Sequence, residues 1–318
     1  MAVKLYKFDN ETEWLDMKRK AVTATEVASL FGFGYKSRRR LWHEKRGDIE
    51  PDFVDNNAMR WGRRLQNVVG QGIAKDNGWR FQSLDLHFYL DDSLWLGASP
   101  DGFMWDTPAG TLACEIKTTE RFSDDLGWTD ESAPIPYEFQ NQHQMHLILK
   151  YAPGSIGGGV IAALGTRQNV REYHRAYDDR LGALIDQEAE SFWHSIKQGT
   201  PPDPDWRCDS DLIAQFEKPV RAGEAVNLSL HNHAMALMQD YVALEQQVQP
   251  IKEEIDKIIA KKIAIKNEIL HIMGEAETAI IGDYKIKARM QRNEERFTPS
   301  HEFRRFDLSK ATGKAKKS

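Results

Sequence analysis

Ser99-Pro100-Asp101-Gly102 and, one hairpin later, Cys114-Glu115-Ile116-Lys117-Thr118 decide how this chain is read. Pro-Asp-Gly is a turn signal, and Phe103-Met104-Trp105 follows it as a short apolar run. Thr107-Pro108-Ala109-Gly110 makes a second turn, and Leu112 to Thr118 then reads as a strand. If the two runs pair antiparallel, Asp101 and Glu115 face one another. Glu115 and Lys117 are two apart and project from one face of their strand. Two carboxylates and one ammonium therefore converge. Hard oxygen donors of this kind suit Mg²⁺, with Mn²⁺ as a substitute. Ile116 turns its side chain the other way, and its backbone carbonyl is a further candidate ligand. One ion would polarise a phosphoryl oxygen and acidify a bound water; a second would stabilise the leaving oxygen. The lysine would orient the water or offset charge on the phosphorane. Acidic and basic residues around a hairpin are most often a solvated face. Here the triplet sits inside an apolar run, where an ionised pair is costly without a purpose.

Outward from this stretch, the elements alternate. Thr23 to Leu30 carries a helix-start signal, with Glu26 three residues after Thr23, and Gly32 and Gly34 end it. Asn57 to Asn77 reads as a helix with Met59, Leu65, Val69 and Ile73 on one broad face, closed by Gly78. Leu84–Leu90, Leu94–Ala98 and Val160–Leu164 are strand candidates. Pro136 opens a helix to Lys150 that carries Gln140, Gln142, His143 and Gln144, and Arg180–Lys197 is a further amphipathic helix. The expected fold class is α/β: a mixed central sheet flanked by helices. The stiff run Pro201-Pro202-Asp203-Pro204-Asp205 marks the expected end of a 1–205 catalytic domain. A linker is expected over 206–230 and a helical, coiled-coil-like extension over 231–273. A β-hairpin and basic tail are expected over 274–318. In the extension Leu237, Tyr241, Leu244, Val248, Ile251, Ile255 and Ile258 step by four and three, and Ile265, Ile269 and Ile272 continue the register. Lys262 is the one lapse, and Pro250 predicts two helices or one kinked helix.

Composition bounds the class. The 318 residues carry 43 Lys+Arg against 48 Asp+Glu, net −5, with 41% apolar residues, an ordinary globular balance. No run approaches the length of a membrane span, and the first residues lack the apolar core of a secretory signal, so a soluble, cytoplasmic protein without membrane contact is expected. Two cysteines build neither a disulfide framework nor a four-thiolate cluster. Net negative charge does not exclude nucleic acid, because basic residues cluster at Lys36, Arg38, Arg39 and Arg40, at Arg60, Arg63 and Arg64, and at Arg167, Arg171 and Arg175. His143 and His146 are three apart on a helix and are read as surface residues; Cys114, inside a strand, is read as core.

Taken in order, Trp14, Lys18-Arg19, Thr23-Ala24-Thr25-Glu26-Val27, Trp61-Gly62, Leu96-Gly97-Ala98-Ser99-Pro100-Asp101-Gly102, Cys114-Glu115-Ile116-Lys117-Thr118 and Pro136 to Met145 form a series of landmarks. With them the chain, over about residues 10 to 205, resembles the lambda-exonuclease or YqaJ-type viral recombinase branch of the PD-(D/E)XK nucleases. The resemblance implies a Mg²⁺-dependent 5′→3′ exonuclease on duplex DNA with a free end, using one or two ions. It would leave 3′ overhangs for a single-strand annealing protein in phage-type homologous recombination. It also implies a restriction-endonuclease-like core, a ring-shaped homotrimer and a bacterial, phage or prophage setting. Carried over by position, Asp101 and Glu115 become metal ligands and Lys117 the catalytic lysine, with Gln140 beside them. Asp91 matches an additional acidic position. Thr25 and Ser99 fall where the terminal 5′ phosphate is held, with Lys18 or Arg19 as the cation. The family usually carries a glutamate four residues after the helical glycine; from Gly62 that count reaches Gln66, which leaves the second metal position in doubt. Two other readings stand beside this one: a restriction or repair endonuclease, and a catalytically weakened DNA-binding or scaffold protein.

Overall fold

The computed structural model describes residues 3–51, 56–167, 169–216, 223 and 225–288. It forms two compact units, residues 1–218 and 219–318, described separately here. The first unit runs β1 (Lys4–Lys7), α1 (Glu11–Lys20), β2 (Val22–Thr23), a 3-10 turn (Val27–Phe31), α2 (Arg38–Arg46) and α3 (Asn57–Asn77). Then come β3 (Arg80–Ser83), β4 (His87–Asp91), β5 (Leu96–Ala98), β6 (Gly102–Thr107), β7 (Gly110–Thr119) and α4 (Ile135–Tyr151). β8 (Gly158–Gly165), β9 (Val170–Arg175), α5 (Asp179–Gln198) and α6 (Ser210–Phe216) complete it.

The fold is mixed α/β. A five-stranded sheet in the order β3-β6-β7-β8-β9 holds β7 at its centre, antiparallel to β6 and parallel to β8. A parallel neighbour needs a crossover, and α4 is that crossover. Both faces of the sheet are covered. On one face Val69, Ile73 and Ala74 of α3 pack with Met104, Cys114, Ile116, Val160 and Ala162. On the other lies α4, whose Asn141 sits so close to Gly159 that a Cβ there would stand 2.3 Å from its Oδ1. Each fully buried aliphatic side chain in such a core contributes about 1.5–3 kcal/mol. A second, four-stranded sheet, β1-β4-β5-β2, joins β4 antiparallel to β5 and β5 parallel to β2.

α3 spans the residues expected. Asn56 caps it by accepting from the Met59 amide, and Gly78 ends it in the left-handed region at φ 72°. The helix expected from Thr23 is shorter: only the 3-10 turn forms. Glu26 explains this, because its carboxylate is drawn back to the Thr23 amide and hydroxyl and to Lys45. The sequence 206–230 does not begin as a bare linker. α6 buries Leu212, and Asp209 accepts from Ser37 at 2.6 Å, so residues 206–216 belong with the first unit.

The second unit consists of α7 (Asn232–Met273) and a hairpin of β10 (Thr278–Ile281) and β11 (Tyr284–Lys287) turning at Gly282 and Asp283. α7 passes through Pro250 as one helix. The basic tail after 288 lies outside the described residues. Among the described residues no helix is long and apolar enough to cross a membrane.

Candidate active site

Strand pairing builds the site. The β6–β7 ladder closes with Gly102 opposite Cys114, and just beyond it the Asp101 amide donates to the Cys114 carbonyl at 3.1 Å. There the strands fork. The Ile116 amide, which a longer β6 would have engaged, donates instead to Asp101 Oδ2 at 2.7 Å. In an extended strand the amide and carbonyl of one residue leave on the same edge, so the Ile116 carbonyl also opens toward the fork. Gly102 is required here: a Cβ would meet the Gln82 carbonyl oxygen at 2.4 Å.

Glu115 lies next along β7 and is 2% exposed. Gln140 and Gln144, one turn apart on α4, face it together. Gln140 Nε2 donates to Glu115 Oε1 and Gln144 Nε2 to Glu115 Oε2, both at 2.6 Å. Lys117 Nζ lies 2.5 Å from Glu115 Oε1 and donates to Gln140 Oε1 at 3.1 Å. Its ammonium also stands 4.7 Å from the centre of the Tyr137 ring. Burial would strip Lys117 of its proton, but Glu115 and Asp101 outweigh that and raise its pKa above the ordinary lysine value. Asp101 shows the opposite imbalance. Burial first, then the neighbouring Glu115, hold its carboxyl well above the usual carboxylate range.

That imbalance is the signature of a place for a cation. The two carboxylates repel, and Lys117 and Lys18 together do not offset burial and Glu115 at Asp101. The donor set fits Mg²⁺ or Mn²⁺: Asp101, Glu115 and the Ile116 carbonyl are all hard oxygens, and Mg²⁺ is commonly held by one or two carboxylates, with water and substrate phosphate completing the shell. Among the described residues no group of three or more His, Cys, Asp or Glu is placed to hold a metal by itself.

A second set of groups adjoins the first. β2 and β5 are parallel, with Thr23 opposite Gly97, so Thr25 and Ser99 both follow the same ends of paired strands. Thr25 is exposed, its Oγ1 3.0 Å from Thr23 Oγ1. Ser99 Oγ donates to the His87 carbonyl at 2.7 Å and accepts from Trp14 Nε1 at 3.1 Å. The ammonium of Lys18 stands 4.0 Å from the centre of the Trp14 ring. Burial lowers the Lys18 pKa, against the pull of Glu26, Glu115 and Asp101, so this lysine belongs to the carboxylate cluster. Arg19 points elsewhere, exposed and paired with Asp16 at 3.5 Å.

Over residues 13–148 the sequence matches the model of a YqaJ-like viral recombinase domain. The match covers 136 of the 318 residues, and over that stretch the chain is similar to this family. The chain is 24% identical to the uncharacterized protein YqaJ of Bacillus subtilis over 276 residues, 86% of this chain and 81% of that one. In overall fold it is similar to an alkaline exonuclease from Laribacter hongkongensis, with TM-score 0.46, 21% identity, and coverage of 59% of this chain and 94% of that one. The crystal structure of that exonuclease with dAMP gives TM-score 0.45 over the same shares.

The matched stretch contains Asp101, Glu115, Lys117, Gln140, Thr25, Ser99, Lys18 and Arg19; Asp101, Glu115, Lys117 and Gln140 meet at the fork, with Ser99 two residues before Asp101. Asp91 lies in another network. It accepts from Ser93 Oγ at 2.5 Å and Lys150 Nζ at 2.6 Å, and no hydrogen bond or ion pair joins it to Asp101 or Glu115 among the described residues. Gln66 stands on α3 between Gly62, which lies beside Thr118, and Gly70, which abuts the Phe81 ring that also closes on Gly102. Its helix face is thus turned to the fork from the other side of the sheet. His143 and His146 are buried, not surface residues, because α4 is covered by α5 as well as by the sheet. Gln144 and Tyr137 were not singled out from the sequence. The spacing of Gln144 from Gln140, one helical turn, was the signal available.

Proposed function

We propose that this chain is a divalent-metal-dependent deoxyribonuclease: a 5′→3′ exonuclease that hydrolyses phosphodiesters of duplex DNA from a free end. What carries the reading is the convergence of Asp101, Glu115 and Lys117 with Gln140 at one fork of strands. It leaves 3′ single-stranded overhangs for a single-strand annealing protein in recombination, and acts as a homotrimeric ring in the cytoplasm. Mg²⁺, or Mn²⁺ in its place, is held by Asp101, Glu115 and the Ile116 carbonyl; when bound it supplies Lewis-acid polarisation of the phosphoryl oxygen and a more acidic water.

The protein's own residues do the rest. Before a cation binds, Glu115 and Asp101 hold the proton on Lys117, which suits it to act as a donor. Glu115 and Gln140 fix its ammonium where it can orient the attacking water and offset charge on the phosphorane. Gln144 locks the second carboxylate oxygen of Glu115 and keeps its plane fixed. Thr25, Ser99 and Lys18 receive the terminal 5′ phosphate, hydroxyls and ammonium donating to its oxygens. For Ser99 this requires its proton to turn from the His87 carbonyl. Asp91 as an additional acidic ligand finds less support, because Lys150 and Ser93 already satisfy its carboxylate.

Digestion of linear duplex labelled at either end, with and without a 5′ phosphate, in Mg²⁺, tests the proposal. Release begins at the 5′ label and depends on the phosphate. A covalently closed circle stays intact; cutting of the circle would make the chain an endonuclease. No release with either Mg²⁺ or Mn²⁺ would make it a binding module.

A further inference from the structure

α7 is 42 residues long and buries none of them among the described residues. Its apolar residues are not scattered. Leu244, Ile251, Ile258 and Ile265 recur every seven residues, and Val248, Ile255 and Ile269 recur in the same way between them. This is the a/d seam of a coiled coil, with 244, 251, 258 and 265 at d and 248, 255, 262 and 269 at a. Ile251, Ile258 and Ile265 are 60%, 55% and 59% exposed, an expensive display for isoleucine. Pro250 falls at c, on the outer face, which is why the helix can carry it without spoiling the seam.

The charges beside the seam choose the occupant. At the e and g positions Asp240, Glu245 and Glu254 precede Lys261 and Lys266, with Lys252 and Glu268 the exceptions to this segregation. In a parallel pair, g and e positions meet as Asp240 with Glu245 of the partner subunit and Lys261 with Lys266 of the partner subunit, all repulsive. Turn one helix round, with the Ile255 layer facing Ile258 of the partner subunit. Now Glu254 meets Lys261 of the partner subunit, and Glu245 meets Lys266 of the partner subunit, each twice by symmetry. Residues 240 to 273 overlap, nearly the whole helix, with no like-charge contact at e or g. We infer that α7 pairs antiparallel with α7 of a second copy of this chain. Lys262, the one charged residue at an a position, disfavours other registers. This pairing is independent of the nuclease chemistry and, since three helices of one ring cannot all pair in twos, it joins α7 of one ring to α7 of another.

The test uses two full-length variants, Lys261→Glu/Lys266→Glu and Glu245→Lys/Glu254→Lys, in sedimentation velocity. Each alone self-associates roughly tenfold more weakly or worse than the native chain, because its four attractive contacts become repulsive. Mixed one to one, they regain native association, since each then meets its opposite. Unchanged association in both variants overturns the proposal. So does stronger self-association of Glu245→Lys/Glu254→Lys, the result a parallel pair would give through Asp240. Helical circular dichroism equal to native in both variants keeps loss of folding out of the comparison.

Discussion

Two clusters in the first unit each join two carboxylates to a lysine, and they are electrically opposite. At the fork, Asp101 and Glu115 share Lys117, and Asp101 is left with its carboxyl well above the ordinary range. About α4's far end, Asp91 and Asp186 share Lys150, at 2.6 and 3.0 Å, and His146 adds a second donor to Asp186 at 2.9 Å. Burial raises both of these carboxyls, but Lys150 together with Ser93 and His146 overcomes it, and both end below the ordinary range. The second cluster is complete in itself. The first is complete only with another cation. The same residue types thus serve structure in one place and chemistry in the other, and what separates them is whether the local donors balance the acids.

The largest expected effect breaks the first cluster. Lys117→Ala lowers nucleotide release by about 10³-fold or more while DNA binding changes little, because the lost ammonium acts on charge that develops during reaction. Filter binding alongside release of label checks both halves. Release within tenfold of native would remove Lys117 from the mechanism and leave the fork as a second structural cluster.

Lys150→Met does the reverse. It leaves two part-buried carboxylates without their shared cation and costs about 2–3 kcal/mol of stability, read from denaturant midpoints. The sign with pH follows from the depressed carboxyls. The contribution of Asp91 and Asp186 is present above the ordinary carboxylate pKa and fades as pH falls through their lowered values. Native and variant stabilities therefore converge in strong acid. Equal stability at pH 7 would show that the network does nothing for the fold.

His143 lies between the clusters on α4, and burial, with His146 nearby, drives its pKa down to about 3. It is buried neutral, so the unfolded chain binds a proton that the folded chain refuses. Stability falls as pH drops from about 6.5 toward 3, by up to about 1.4 kcal/mol per pH unit. His143→Gln flattens this slope between pH 6 and 4.5. An undiminished slope in the variant would assign it to other groups.

Much of this geometry is written locally. Asn56 and Gly78 bracket α3, and the two turns about Phe103-Met104-Trp105 set β6 against β7, so the facing of Asp101 and Glu115 follows from strand alternation. What is not local was not legible. Arg38-Arg39-Arg40 reads as a solvated basic cluster, yet Arg38 reaches Glu188 at 2.5 Å and Arg39 reaches the Pro202 carbonyl at 2.9 Å. Asp91 resembles a metal ligand until Lys150, 59 residues later, closes on it. Periodicity names the face of an element but not its partner. Hence α3, α4 and α5 were anticipated, whereas α1 and α2, rich in charge and with short apolar faces, were not.

Gln66 is where both kinds of information meet, and it gives the subtlest prediction. On α3 it stands between Gly62, beside Thr118, and Gly70, where a Cβ would meet the Phe81 ring at 2.7 Å. At this position the family resemblance expects a glutamate, and this chain has an uncharged amide. Gln66→Glu adds a third carboxylate to a place that already lacks cations. The Mg²⁺ concentration for half-maximal release should drop by about tenfold, since ligand charge sets divalent affinity. Without Mg²⁺ the same change should lower the melting temperature, because a further acid is added where Lys117 and Lys18 already fail to offset Asp101, and Mg²⁺ should restore it. A variant as stable as native in chelator, with unchanged Mg²⁺ demand, would mean that position 66 does not face the carboxylates, and the comparison between an unbalanced and a balanced cluster would then rest on Asp101 alone.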